Sequence, residues 1–496
     1  MSKDALAGPS SGDLRGDLRR RSTRGGAITV SAQAVRFILQ LASTALMLRL
    51  LTPDQVGVFA QFVVIATFAN IFHEAGLGAA TIQARTINQS QVSTLFWLNT
   101  TLGLAAAMLA AAMGPLVAWA FSEPRLVGVA LACSPMFIIG AMAAQHQAML
   151  QRSMRFMPLA IADVGSLAIG AASGIHAAAI GMGYWAPVVL AVTSVAVRTA
   201  ILWLLSGWRP GRPGRLAEVR SMLGFGAGLT GASIFNIVRT IAPNAVLGVV
   251  STSTVVALFD RAYHLLVIPI ERLLPPIRTV AVPTLAKLQD DHASLVRAHT
   301  RLLRLALHAA LPASVLSFAA ADEVVAIMAG PQWSEAVGLF RALAPLAATQ
   351  VVASLCIWLL TATGRARVLL MFSGANAALS VASVLAGAPW GAVGVALAFS
   401  LGAVAIRTPL LVAMTLRATP LTLGPLLKTI AFPVVLAVVL SGGLFLLRPF
   451  ISELGGGALG ALAIHVAAVT VGWLAFQGRA MLAEFRWLKT NLRKGA

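Results

Sequence analysis

The sequence predicts an all-α integral membrane protein of about fourteen transmembrane helices, arranged as two six-helix lobes followed by two C-terminal helices. Three observations carry this. The chain is 58% apolar and only 11% charged, against roughly 45–50% and 25% in ordinary soluble domains. Its mean hydropathy of +0.84 over 496 residues leaves more apolar surface than soluble cores can hide, so lipid must be the solvent for most of it. The apolar residues also fall in runs of span length separated by basic segments, the pattern of a polytopic chain. A net charge of +20 would raise nucleic acid as a partner of a soluble protein. Here the placement of the charge makes it a topology signal and a contact with anionic membrane lipids, and no nucleic-acid partner is expected. Cys133 and Cys356 lie far apart inside apolar runs with no zinc or disulfide spacing, so neither a metal nor a cofactor is expected.

Residues 1–26 form a polar, Arg-rich tail that stays cytoplasmic. The run Ala27 to Leu48 that follows is too long for a cleaved signal and carries Arg36 and Gln40, so it reads as the first span. Windows of about 20 residues place further spans at 56–76, 92–121, 126–150, 158–180 and 183–206, which completes an N-lobe over 27–206. A Pro/Gly/Arg-rich linker occupies 207–221. The C-lobe, 222–416, holds spans at 222–250, 253–283, 305–320, 342–362, 368–387 and 389–416. Two more spans, 429–447 and 455–477, lie within 417–477, and 478–496 is a basic tail. With both termini cytoplasmic, 26 of the 37 Lys and Arg fall inside and only Arg49, Arg125, Arg341 and Arg448 outside, the asymmetry that the positive-inside rule demands. The stretches Leu48–Phe59 and Leu247–Leu258 align at an offset of 199, each joining the first helix of a lobe to its second. That favours two parallel repeats.

Eleven charged residues are embedded on this assignment, each costing about 2.5 kcal/mol or more at a helix centre. Eight of them (Arg36, Glu74, Arg239, Asp260, Arg261, Glu271, Arg272 and Arg278) lie on the first two helices of each lobe, which points to a shared wet cavity. Arg36 and Gln40 are one helical turn apart, and the offset of 199 pairs Gln40 with Arg239. Arg261 and Arg272 differ by about 20° of rotation and form a basic stripe; Asp260, His264 and Glu271 share the neighbouring face. Arg36, Gln40, Arg239, Arg261 and Arg272 are therefore the candidates for lining the cavity. Asp260, His264, Glu271 and Glu74 are candidates for ion coupling, with neutralisation of Arg261 and Arg272 the favoured role for the first three. Arg198, Arg278, Arg407 and Asp163 sit near cytoplasmic ends and are expected to snorkel to the headgroups. No G-x-x-x-x-G-K-[ST] motif is present, which excludes a P-loop nucleotide site. Asp290-Asp291 opens an amphipathic stretch reaching Arg304 and reads as a solvated face of an interfacial helix.

Two motifs resemble a known family. Leu46 to Gln83 (LMLRLLTPDQVGVFAQFVVIATFANIFHEAGLGAATIQ) matches an R-x-L-T/G-P-x-x-x-G run followed by G-L-G-x-A-x-I/V-Q. Further on come the Arg of the seventh span, Phe259-Asp260-Arg261-Ala262-Tyr263, and Pro283 to Asp291 as P-x-L-x-x-L-Q-D-D. These stretches and the span pattern resemble polysaccharide flippases of the Wzx type, in the multidrug/oligosaccharidyl-lipid/polysaccharide exporter superfamily. The resemblance implies a non-enzymatic transporter of the bacterial inner membrane that carries undecaprenyl-pyrophosphate-linked oligosaccharide from the cytoplasmic to the periplasmic leaflet. It also implies working partners of the polysaccharide polymerase and chain-length or export kind. Arginines in a cavity suit that cargo, because charge-assisted bonds to pyrophosphate offset lost hydration. Where related sequences often carry Asp shortly after the Arg of the seventh span, this chain has Asn244, which weakens any ion coupling inferred from that Asp. The alternatives are a drug/cation antiporter, whose cavity should be acidic and aromatic, and a membrane-embedded glycosyltransferase or polymerase, which needs catalytic carboxylates and a larger outside loop.

Overall fold

The computed structural model describes residues 14–73, 77–84, 86–215 and 219–494; within these, the side chains of stretches including 14–27, 220–234 and 268–273 are not described. Among the described residues every regular element is helical. The chain divides into two compact units, Met1–Ile237 with Thr252–Thr254 and Val238–Ser251 with Val255–Ala496.

The first unit contains α1 (Leu14–Leu50), α2 (Pro53–His73), α3 (Leu77–Gln83), α4 (Gln89–Ala120), α5 (Arg125–Cys133), α6 (Pro135–Arg152), α7 (Phe156–Ala179) and α8 (Trp185–Ser206). α9 (Arg220–Val250) starts in the first unit and ends in the second, and α10 (Ser253–Lys287) lies in the second beyond its first two residues. The second unit continues with α11 (His292–Ala319), α12 (Ala321–Met328), α13 (Ala336–Leu343), α14 (Leu346–Ala362), α15 (Ala366–Gly387), α16 (Gly391–Gly402), α17 (Thr408–Ala418), α18 (Leu423–Gly455) and α19 (Ala458–Lys494).

Ten helical runs among the described residues are long and apolar enough to cross a membrane, so the chain is a multi-pass membrane protein; this count does not establish the expected fourteen. Ala366–Ala418 is one 53-residue run where the sequence reading places two spans, and Pro53–Ala69 and Phe235–Val250 are shorter apolar stretches. α10 carries Asp260, Arg261, Glu271, Arg272 and Arg278 along its length, so composition alone does not mark it as a span. The amphipathic stretch after Asp291 is continuous with the following span in the single helix α11. Asp291 caps that helix by accepting the Ser294 N–H at 3.0 Å, and Ser294 holds the Asp291 carboxyl below the usual carboxylate range.

Local signals set the helix starts. Thr52-Pro53-Asp54-Gln55 opens α2 with a reciprocal cap, in which the Gln55 N–H donates to the Thr52 hydroxyl and the Thr52 N–H to the Gln55 side chain. Asn88 and Gln91 repeat the device at α4. Inside the units, small residues let backbones approach, as expected where lipid tails compete with apolar side chains and leave packing to decide. Gly170 and Gly174 of α7 abut Ser194 and Leu190 of α8, and Gly103 of α4 abuts Ala141 of α6. An apolar core of the first unit gathers Phe62 and Ile65 of α2, Ala106 and Ala110 of α4, and Val129 and Phe137 of α5 and α6.

Candidate functional site

In the first unit, α1 presents Arg36 and Gln40 half-buried on successive turns. Gln40 donates to the Thr44 hydroxyl at 3.3 Å, one turn further on. Glu74 lies outside the described residues. In the second unit, α9 contributes a half-buried Arg239 and, little more than one turn later, Asn244. α10 contributes the buried Asp260, whose side chain is 4% exposed. Three groups converge on this carboxylate. The Asn244 amide donates to Oδ1 at 2.8 Å, Arg261 Nη2 lies 3.3 Å from Oδ2, and His264 Nε2 lies 3.4 Å from Oδ1. Asp260 and His264 thus come together as their shared helix face predicts. The side chains of Glu271 and Arg272 lie outside the described residues, so the stripes built on them extend no further than Asp260, Arg261 and His264 here.

Asn244 gains a role that its sequence context did not suggest. It is a donor to a buried acid, and such an acid needs donors because its lone pairs have left water. Tyr263, on the neighbouring face of α10, stacks on Phe259 at 6.4 Å and meets the ring of Phe399 edge-on at 6.3 Å.

One snorkelling expectation is corrected. Arg407 is 5% exposed and ends a π-turn, Ala403–Arg407, between α16 and α17. Its guanidinium lies over the Phe399 ring at 4.3 Å and donates to the Ser380 hydroxyl at 2.7 Å and to the Phe399 carbonyl. A π-turn inserts one residue into the helical register, which rotates Arg407 away from lipid and into the unit. Arg198 is half-buried and donates to Asp163 at 2.9 Å and to Gln147 at 3.1 Å, so two of the four residues of this group pair with each other. Arg278 is exposed, as a snorkelling side chain should be.

Other clusters carried no sequence signal of their own. Arg125 holds Asp54 through paired bonds of 2.7 and 2.8 Å and Glu123 through two of 2.7 Å, while Tyr184 lies 5.7 Å from its guanidinium. Asp54 also accepts the Ser253 hydroxyl at 2.5 Å, within the first unit. These two residues are 199 apart, the offset that aligns the two sequence stretches. Asp322 of α12 is shared by Arg341 and Arg448. Three of the four arginines assigned to the outside loops are therefore neutralised by acids, a pairing visible only once residues distant in sequence meet. Among the described residues no group of three metal-ligating side chains forms.

Long apolar helices, a buried Arg407 and an Asp260 carboxylate met by three groups are what the described residues bring together. The structure is similar to the lipid II flippase MurJ in its inward closed conformation, with a TM-score of 0.72 at 12% identity over 92% of this chain and all of that one. It is also similar to an inward-facing multidrug resistance MATE family transporter, with a TM-score of 0.60 at 14% identity over 77% and 94%. The family is given by the sequence: residues 46–338 match the model of the polysaccharide biosynthesis protein family, and the chain belongs to it. Relatives include the lipopolysaccharide biosynthesis protein WzxC of Escherichia coli strain K12, 25% identical over 77% of this chain and 79% of its own. The teichuronic acid biosynthesis protein TuaB of Bacillus subtilis strain 168 is 23% identical over 66% and 68%.

Proposed function

We propose that the protein flips an undecaprenyl-pyrophosphate-linked oligosaccharide from the cytoplasmic to the periplasmic leaflet of the bacterial inner membrane, by alternating access around an arginine-lined cavity. Relatives named for lipopolysaccharide and teichuronic acid biosynthesis support a polysaccharide precursor as cargo. The observation that carries the reading is the charge balance of the second unit. Along 238–281 the described side chains include the half-buried Arg239 and Arg261 and the exposed Arg278 against Asp260, and Arg407 adds a buried cation. A cation antiporter would need the opposite balance. Arg36, Gln40, Arg239, Arg261 and Arg272 are assigned to the pyrophosphate, since planar guanidinium forks match its oxygens. Asp260, engaged by three donors, is assigned to neutralising its neighbours rather than to ion coupling.

The test is a proteoliposome assay that follows a fluorescent polyprenyl-pyrophosphate glycan between leaflets. Arg239→Lys should flip poorly although its charge is kept, because an ammonium does not reproduce two parallel bonds to phosphate. Arg239→Ala should flip less still. Wild-type rates from a stably inserted Arg239→Ala would overturn the assignment.

A further inference from the structure

α8 ends at Gly207, in the left-handed region at φ +69, and the chain then runs Trp208-Arg-Pro-Gly-Arg-Pro-Gly-Arg215. This segment is an ordered strap rather than a loose linker. The Gly211 N–H donates to the Ser93 hydroxyl at 2.9 Å and the Gly214 N–H to the Thr94 hydroxyl at 2.7 Å, both on the first two turns of α4. Gln89 completes the dock by donating to the Arg209 carbonyl at 2.8 Å and accepting the Trp208 indole N–H at 2.7 Å. The Trp97 indole donates to the Gly211 carbonyl at 2.9 Å. At Gly214 there is no room for a side chain: a Cβ there would come 2.0 Å from the Ser90 hydroxyl.

With Trp208 buried and the backbone N–H groups of Gly211 and Gly214 spent on α4, the repeat leaves Arg209, Arg212 and Arg215 exposed. Arg155, also exposed, reaches the carbonyls of Leu205 and Ser206 at the strap's start. The described carboxylates of the first unit are engaged elsewhere, Asp54 and Glu123 with Arg125 and Asp163 with Arg198. Among the described residues the exposed charge beside the strap is therefore of one sign. Trp97, exposed beside it, is an amphipathic ring of the kind that settles at the level of lipid headgroups.

We infer that the R-P-G-R-P-G-R strap is a binding site for anionic phospholipid headgroups, held in shape by α4, with Arg212 and Arg215 as its principal contacts. The reading does not depend on the transported cargo. Each basic residue near an anionic surface contributes about fivefold in affinity, and a fixed strap offers its charges without the ordering cost that a flexible linker would meet.

The full-length protein in nanodiscs of phosphatidylcholine, with and without phosphatidylglycerol carrying a photoreactive headgroup, provides the test. Crosslinks should map to peptides covering 208–215, fall with rising salt, and compete with unlabelled phosphatidylglycerol but not phosphatidylcholine. Arg212→Gln with Arg215→Gln should lower strap crosslinking about 25-fold by the same scale, with the thermal midpoint in pure phosphatidylcholine unchanged. Ser93→Ala with Thr94→Val keeps every arginine but removes two of the five bonds that hold the strap to α4, and should also lower the yield. Undiminished strap crosslinking in the double Arg variant overturns the site, as does labelling confined to other basic segments. Competition by excess inorganic phosphate equal to that by phosphatidylglycerol would mean a soluble-anion site and would refute the lipid assignment.

Discussion

A guanidinium in the bilayer must find either a counter-ion or enough acceptors, and Arg198 and Arg407 answer this requirement differently. Arg198 keeps a carboxylate, Asp163, in a pair whose side chains are 32% and 25% exposed. Exposed pairs are worth about 0–1 kcal/mol, and breaking a fully buried one costs about 3–5. Asp163→Asn should therefore lower stability by about 1–2 kcal/mol, and Asp163→Arg with Arg198→Asp should recover part of the loss of either single reversal. Thermal unfolding in detergent, analysed as a double-mutant cycle, measures the coupling; additive losses would show that the pair contributes nothing. Arg407 instead uses an aromatic face, a hydroxyl and a carbonyl. Lysine at 407 would lose the planar contact with Phe399 and should be less stable than wild type in the same assay.

Among helices, glycine has opposite meanings depending on what it faces. A Cβ on Gly174 of α7 would lie 2.6 Å from Leu190 Cβ and 3.1 Å from the Ala186 carbonyl of α8, whereas one on Gly442 of α18 would meet nothing within 4 Å. Gly174→Ala should therefore cost about 1–3 kcal/mol by forcing the two helices apart. Gly442→Ala should be neutral or stabilising by up to about 1 kcal/mol, the helix-propensity difference. Equal effects of the two substitutions on the unfolding midpoint would sink this account of α7–α8 packing. Most helix locations were legible in hydropathy, α10 included: the span read at 253–283 falls on it although charges interrupt its apolar run. Its Asp260 is met by Arg261 and His264 of the same helix and by Asn244 of α9. The π-turn before Arg407 had no signal in the sequence, because a one-residue register shift depends on what the next helix packs against.

For the molecule as a whole, the distribution of Lys and Arg predicts both termini on the cytoplasmic side. The arginines that this topology assigns to the outside fit it: Arg125, Arg341 and Arg448 are paired with Asp54, Glu123 and Asp322. The two native cysteines, Cys133 and Cys356, are free and buried, so single cysteines at Ser11 and Thr490 can be labelled against a quiet background. In intact cells both should resist a membrane-impermeant maleimide and react after the inner membrane is permeabilised. Labelling of either one in intact spheroplasts would reverse the topology.

The sequence alone determined the membrane class, the family resemblance through Leu46–Gln83 and Phe259–Asp291, and the concentration of embedded charge on a few helices. Hydropathy, charge and motif are properties of residues along the chain and survive without coordinates. The tertiary structure decided what each charge meets. Asn244 with Asp260, Arg407 with Phe399 and Ser380, Arg125 with Asp54, and the strap with α4 join residues 8 to 120 positions apart. In a helical membrane protein such partners are chosen by which faces the packing of small residues brings together, and that choice is made in three dimensions.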